Sequence, residues 1–350
     1  MKTQSIAVSM PYVLPYEGVK PRFAASPLFV GLASSVVGKV EVGLRASFGS
    51  LSVIRADGHY VRIGDDFCLG NGATVHIAQG IYPTIVGDRV SVGQNAVVHA
   101  CTIGSDCVVE ANAVVLDGSV IEDRVVIEAG SVVYPRSVLK SGFIYAGSPA
   151  KPRCELEELE RKQRDRRVRA ELQKSDSVSV VDALRGADSP YRQNFVARTA
   201  LLSGNIELKS SASVFFSCIL DAAQGAIVVG ANSNIQDNTR IRCDRNGVVI
   251  GQDTALGHNV EIRDCVIGAR CLIGIGSSLA AGTVVEDDVM LAAGSITLEG
   301  QRLESGWLWA GRPARPLSRL DDAKRTMIRR ITEQYCSYAD EFRRLQSCSG

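Results

Sequence analysis

Imidazole is the side chain best suited both to ligate a divalent metal and to move protons near neutral pH. This chain of 350 residues has only four: His59, His76, His99 and His258. His59 follows Gly58 and reads as a polar surface residue. The other three stand in richer surroundings. His76 closes the segment Asn71-Gly-Ala-Thr-Val-His76, and His99 closes Val92-Gly-Gln-Asn-Ala-Val-Val-His99. His258 sits in Leu256-Gly-His258-Asn. Polar groups accompany them in sequence: Arg55-Ala-Asp57, which reads as a structural ion pair at a domain interface, Gln94, and Asn234-Ile-Gln236-Asp237, where Gln236 could hydrogen-bond a reacting water.

These residues are carried on a repeat. From Ile103 the chain reads IGSDCV, VEANAV, VLDGSV, IEDRVV, IEAGSV, with an aliphatic residue opening each block of six. A small residue or valine follows four positions later: Cys107, Ala113, Ser119, Val125, Ser131. The same frame passes through Ile63, Leu69 and Val75, then Val86, Val92 and Val98. It returns at Ile250, Leu256, Ile267, Ile273, Leu279, Val285 and Leu291, with one block, Ile262 to Val266, a residue short. A helix needs a spacing near 3.6 and a hairpin sheet needs other turn signals. A strict six fits a solenoid in which each block is one flat side and three blocks make a turn. The expected class is therefore an all-β solenoid: two left-handed parallel β-helix domains, each followed by an α-helix. Openers and small residues point inward, so Cys101, Cys107 and Cys271 read as buried free thiols.

The halves align at a constant offset. Cys101-Thr-Ile-Gly-Ser-Asp-Cys107 matches Cys265-Val-Ile-Gly-Ala-Arg-Cys271, and Tyr145-Ala-Gly-Ser-Pro-Ala-Lys matches Trp309-Ala-Gly-Arg-Pro-Ala-Arg. Charged stretches follow each repeat, at 155–174 and about 320–345. Leu156, Leu159, Val168 and Leu172 give partial helical spacing in the first. Met327, Ile328, Ile331, Tyr335, Tyr338 and Phe342 give a fuller one in the second. Expected boundaries are 1–175 for the first β-helix and its helix, 176–189 for a linker, and 190–350 for the second.

With these motifs on the page, each half resembles the gamma-class carbonic anhydrase family. That family carries an Arg-x-Asp, then Asn-x-Gln-Asp, a histidine ending that block, a Gly-His, and a further histidine five residues on. The resemblance implies that His76 and His99 are metal ligands from one domain and His258 the ligand from a neighbouring one. The first half has Arg55, Asp57, His76 and His99, but Gln94 replaces the Gly-His histidine. The second half has Asn234, Gln236, Asp237 and His258, but Arg242 and Arg263 stand at the other two ligand positions, and Asp221 and Ala223 replace Arg-x-Asp. The losses are complementary. By the block count His76 and His99 stack at one corner about 4.8 Å apart, and Gln236 and His258 share a side. If the first corner meets the second face, one complete three-histidine site forms. The reverse pairing sets Gln94 against two arginines, which repel a divalent cation.

Three imidazoles with an open fourth position is a catalytic zinc arrangement, with iron or cobalt as alternatives. The implied reaction is hydration of carbon dioxide or attack on another small electrophile by metal-activated water. Gln236 and Asn234 are the candidate catalytic residues, and Arg55, Asp57 and Asp237 the structural ones. Gln94 and Tyr145 are candidate substrate contacts. Two other classes stay open: a hexapeptide acyltransferase using acyl-CoA, which needs one histidine and no metal, and a non-catalytic assembly protein. Net charge +1 argues against nucleic acid. No apolar run approaches a membrane span, and no apolar h-region opens the chain, so a cytoplasmic protein is expected. The expected partners are a small-molecule substrate and further copies of the chain, joined through β-helix faces.

Overall fold

The computed structural model describes residues 10–172 and 193–348. The expected linker, 176–189, lies outside the described residues. The chain divides into two compact units, Met1–Ser175 and Asp176–Gly350.

Each unit is a left-handed parallel β-helix of triangular section, and the repeat explains why. In the first unit Ile63, Val86, Ile103, Ile121 and Leu139 pair rung to rung. In the second, Val229, Ile250, Ile267, Val285 and Leu303 do the same. All ten are essentially inaccessible to solvent. Burying each such side chain is worth roughly 1.5–3 kcal/mol, so the column of openers is what holds the coils in register. Consecutive rungs lie 17 or 18 residues apart except where a loop or a longer strand intervenes.

Two turn devices close the corners. Asp66, Arg89 and Asp106 take left-handed backbone angles, with φ of 56, 55 and 60°. Their side chains are cross-linked to adjacent coils: Arg45 Nε to Asp66 Oδ1 at 2.6 Å, and Arg89 Nη2 to Asp106 Oδ2 at 2.7 Å. Glycine is required where coils touch through backbone. A Cβ on Gly93 would lie 2.6 Å from the Ala111 nitrogen and 2.8 Å from the Glu110 carbonyl carbon.

The thiols follow the inward slots. Cys101, Cys107 and Cys271 are free and buried. Burial pushes the Cys107 and Cys271 thiols up to about 12, so neither ionises at neutral pH.

Two helices are present among the described residues, α1 (Glu158–Glu171) and α2 (Asp322–Cys348). Each packs on a sheet face of its own unit. α1 is held as much by charge as by apolar contact. Arg164 reaches Glu110 at 2.7 Å and Glu128 at 3.2 Å on two coils. Leu156, Val168 and Leu172 are buried, whereas Leu159 points to solvent. α2 carries the fuller apolar face: Ile328, Tyr335, Tyr338 and Phe342 are buried, and Phe342 stacks on Phe195 at 5.6 Å. No described helix is long and apolar enough to cross a membrane.

Candidate metal centre

The corner that carries His76 and His99 is built by a change of step. From Val98 to Ile103 the chain takes five residues instead of six, and Ala100 absorbs the tighter turn with φ 50°. One rung earlier the chain leaves the corner altogether in a loop after His76, closed by the Ala78–Tyr82 bridge. The Thr84 hydroxyl, hydrogen-bonded to the His76 carbonyl, pins the end of that loop. With the loop out of the way, His99 pairs in register with His76. The ring centroids lie 5.1 Å apart at 52°.

Three polar groups fix the two rings. Asp57 Oδ1 lies 2.8 Å from His76 Nε2. The other carboxylate oxygen of Asp57 accepts from the Arg55 guanidinium. Asp117 Oδ1 lies 2.6 Å from His99 Nδ1. The two nitrogens left over, His76 Nδ1 and His99 Nε2, face each other at 3.1 Å. Arg55 and Asp57 are completely buried, where a charge persists only if paired. The expected Arg55–Asp57 ion pair is thus present, but it is not merely structural: its carboxylate also orients a histidine. Carboxylates placed behind imidazoles fix the tautomer and raise ligand basicity.

In the second unit the equivalent corner holds Arg242 and Arg263, in register with each other and exposed. Arg263 Nε donates to Asp244 at 2.5 Å. The neighbouring side holds the polar set expected from sequence, with one change of partner. Ile235 pairs with Leu256, so His258 is level with Asp237 rather than with Gln236. Asp237 Oδ2 lies 3.2 Å from His258 Nδ1, and its other oxygen accepts from the Phe216 amide at 3.0 Å. Gln236 Nε2 instead donates to Asn234 Oδ1 at 3.1 Å. The Tyr335 hydroxyl, on α2, stands 3.4 Å from His258 Nε2.

Two sequence-based candidates fall elsewhere. Tyr145, a candidate substrate contact from sequence, is turned into the coil. It is 4% exposed, part of the first unit's apolar core, and its hydroxyl is spent on the backbone of Lys140 at 2.6 Å and 3.3 Å. An aromatic ring at an opener position fills the coil and must satisfy its hydroxyl locally. Gln94 stands exposed on a turn. His59 accepts from the Tyr60 amide through Nδ1 at 2.9 Å and belongs to neither set.

Two residues escaped the sequence reading. Asp117 lies eighteen positions after His99, one residue past the in-register position of a seventeen-residue turn, so the repeat placed it close by. Tyr335 had no such signal, because only the docking of α2 brings it to His258.

Comparison with known proteins agrees with the repeat. The family described as bacterial transferase hexapeptide (six repeats) matches residues 100–135, and the hexapeptide repeat of succinyl-transferase matches 264–297. The chain is similar to the mitochondrial gamma carbonic anhydrase 2 of Arabidopsis thaliana, 31% identical over 152 residues, covering 41% of this chain and 55% of that protein. It is similar to protein YrdA of Escherichia coli, 31% identical over 169 residues, covering 44% of this chain and 92% of YrdA. Among solved structures it is similar to a putative acetyltransferase of Bacillus cereus, 31% identical over 47% of this chain and 95% of that one, with a TM-score of 0.44. The chain thus spans little more than half the length of the two plant gamma carbonic anhydrases it matches. YrdA, by contrast, is matched over nearly all its length by less than half of this chain.

Proposed function

We propose a metal-dependent hydratase or hydrolase acting on a small electrophile, carbon dioxide among the candidates, on the premise that the chain belongs to the gamma-carbonic-anhydrase-like family of hexapeptide-repeat proteins.

The observation that carries this reading is the pair of imidazole nitrogens 3.1 Å apart. Asp57 and Asp117 engage the far nitrogen of each ring. His76 Nδ1 and His99 Nε2 are thereby turned toward one point, a geometry in which both can ligate a single cation. Two ligands on a tetrahedral zinc at about 2.05 Å lie roughly 3.3 Å apart, so the pair fits a metal to within a few tenths of an ångström. His76 and His99 would hold the ion, and His258 of the second unit is the proposed third ligand. Zinc suits three imidazoles best, with iron or cobalt as alternatives.

A divalent ion bound there supplies Lewis acidity, lowering the pKa of a coordinated water to about 7. The rest falls to the chain. Asn234 holds the amide nitrogen of Gln236, so the Gln236 carbonyl oxygen is left to accept a hydrogen bond from the attacking water and orient it. Asp57 and Asp117 keep both first-unit imidazoles in the ligating tautomer. Arg55 is the charge partner of Asp57.

One observation favours a second reading. His99 with Asp117 at 2.6 Å is also a histidine–carboxylate dyad of the kind that serves as general base. An acyltransferase would use it to deprotonate an acceptor, with no metal. That reading does not use the convergence of His76 Nδ1 on His99 Nε2.

Elemental analysis of untagged protein separates these outcomes, alongside CO2-hydration and hydrolysis assays. About one metal per chain, lost in His76→Ala, His99→Ala and His258→Ala, supports the shared site. Metal retained in His258→Ala removes His258 and points to first units pairing in an oligomer, with Gln94 nearby. No metal after anaerobic purification with added zinc, iron or cobalt overturns the reading in favour of the dyad.

A further inference from the structure

The last coil of the second unit carries two guanidinium groups that converge over a glycine. Gly306 has φ 77°, and the position its missing Cβ would take lies 3.6 Å from Arg325 Nη2 and 3.7 Å from Arg319 Nη1. The two nitrogens therefore lie within about 7 Å of one another. That is a span a tetrahedral oxyanion bridges with two charge-assisted hydrogen bonds of about 2.8 Å. No side chain of residue 306 occupies the space.

Neither arginine is fully engaged by the protein. Arg319 stacks its guanidinium on the Trp307 ring at 4.2 Å, which fixes the plane and leaves the edge nitrogens outward. Its Nη1 makes one long contact, 3.4 Å, to the Ser305 carbonyl. Arg325 lies 3.4 Å from Asp288. That carboxylate is already held by Arg270, through Nε at 3.0 Å and Nη2 at 2.9 Å. Both arginines are solvent-accessible.

The first unit supplies an internal control. Its equivalent strand pair sets Phe143 opposite Glu155, where the second sets Trp307 opposite Arg319. Arg161, the counterpart of Arg325, is bidentate on Glu158 at 3.0 and 2.7 Å. One copy of the repeat thus has an acid and a neutralised arginine where the other has two arginines with capacity to spare.

We propose that Arg319 and Arg325, over Gly306 and beside Trp307, form a binding site for the phosphate group of a small phosphorylated metabolite. The site lies three rungs beyond His258 along the second β-helix, about 14 Å at one strand spacing per rung. It is therefore separate from the residues proposed to hold a metal, and it stands or falls without them. Two guanidinium forks favour a doubly charged phosphate over a carboxylate.

Trp307 reports on it. Trp307 and Trp309 are the two tryptophans of the chain, and Trp309→Phe silences the second. The full chain carrying Trp309→Phe is titrated with inorganic phosphate, then with ADP, while indole fluorescence is followed at constant ionic strength. A saturable change is expected, weakened at least tenfold in Arg319→Glu, which copies the first unit, and in Arg325→Gln. Equal responses to sodium chloride, or equal affinity in both variants, overturns the site. If Trp309→Phe impairs folding, isothermal titration of the unsubstituted chain against Arg325→Gln gives the same comparison.

Discussion

Asp117 offers the sharpest test of the histidine corner. Its Oδ1 lies 2.6 Å from His99 Nδ1, and Asp117→Asn replaces a charged acceptor with an amide that presents either a weaker acceptor or a donor. In the second case His99 must switch tautomer, and Nε2 acquires the proton and loses its lone pair. Loss of a carboxylate behind a ligating histidine costs about 10–100-fold in metal affinity. Asp117 is 41% exposed on its side chain, so water replaces part of what is lost. We therefore expect the lower end, about tenfold, or ~1.4 kcal/mol. Asp57→Asn is a poorer test. Asp57 is fully buried and also neutralises Arg55, and breaking such a pair costs about 3–5 kcal/mol of stability. Metal affinity of Asp117→Asn is read by chelator competition, with the thermal midpoint as a check that the coil is intact. Unchanged affinity in a folded variant would show that the carboxylate does not set the tautomer, and the argument from the convergence of the two ring nitrogens would fail with it.

Tyr145→Phe should lower stability by about 1–2 kcal/mol through the two lost bonds to Lys140. It should leave metal content and turnover unchanged; a large loss of turnover in a folded variant would restore Tyr145 to the site. Gly93→Ala drives a Cβ into the Ala111 and Glu110 backbone. It should cost about 1–3 kcal/mol and lower the calorimetric midpoint by several degrees; an unchanged midpoint refutes the backbone-contact account. Cys68, Cys107 and Cys271 are pushed up to about 12 by burial, whereas Cys154 is exposed. Iodoacetamide at pH 8 should label Cys154 and spare those three until denaturant is added, as peptide mass spectrometry will show. The Arg161 guanidinium holds Glu158 down at about 2. A carboxylate depressed on folding contributes above its unfolded value near 4.3 and loses that contribution as pH falls toward about 2. The stability gap between wild type and Glu158→Gln should therefore close across that window; a constant gap removes the ion pair as its cause.

Much of the architecture was legible because a solenoid's contacts are local in rung number. A six-residue period places Ile121 on Ile103, and Val98 on Val75 once residues 78–85 are set aside as a loop, without any tertiary information, and the structure has those pairs. The same count puts His99 on His76, and the next turn, seventeen residues long, brings Asp117 one residue past the position level with His99. It fails where the period is interrupted. In the second unit the Ile235–Leu256 pairing, carried two places on, sets His258 against Asp237 rather than Gln236.

The sequence by itself determined the coil, its inward columns, its duplication and the stacking of two histidines. Each of these follows from a repeat that admits one register at low energy. Only the tertiary structure decided which atoms face each other. Two carboxylates, one from the rung before and one from the rung after, turn His76 Nδ1 and His99 Nε2 toward a common point. The docking of α2 brings Tyr335 to His258, and the demands of a filled coil take Tyr145 inside. Side-chain direction and helix docking are set by packing between segments far apart in sequence, and a six-residue period carries no record of them.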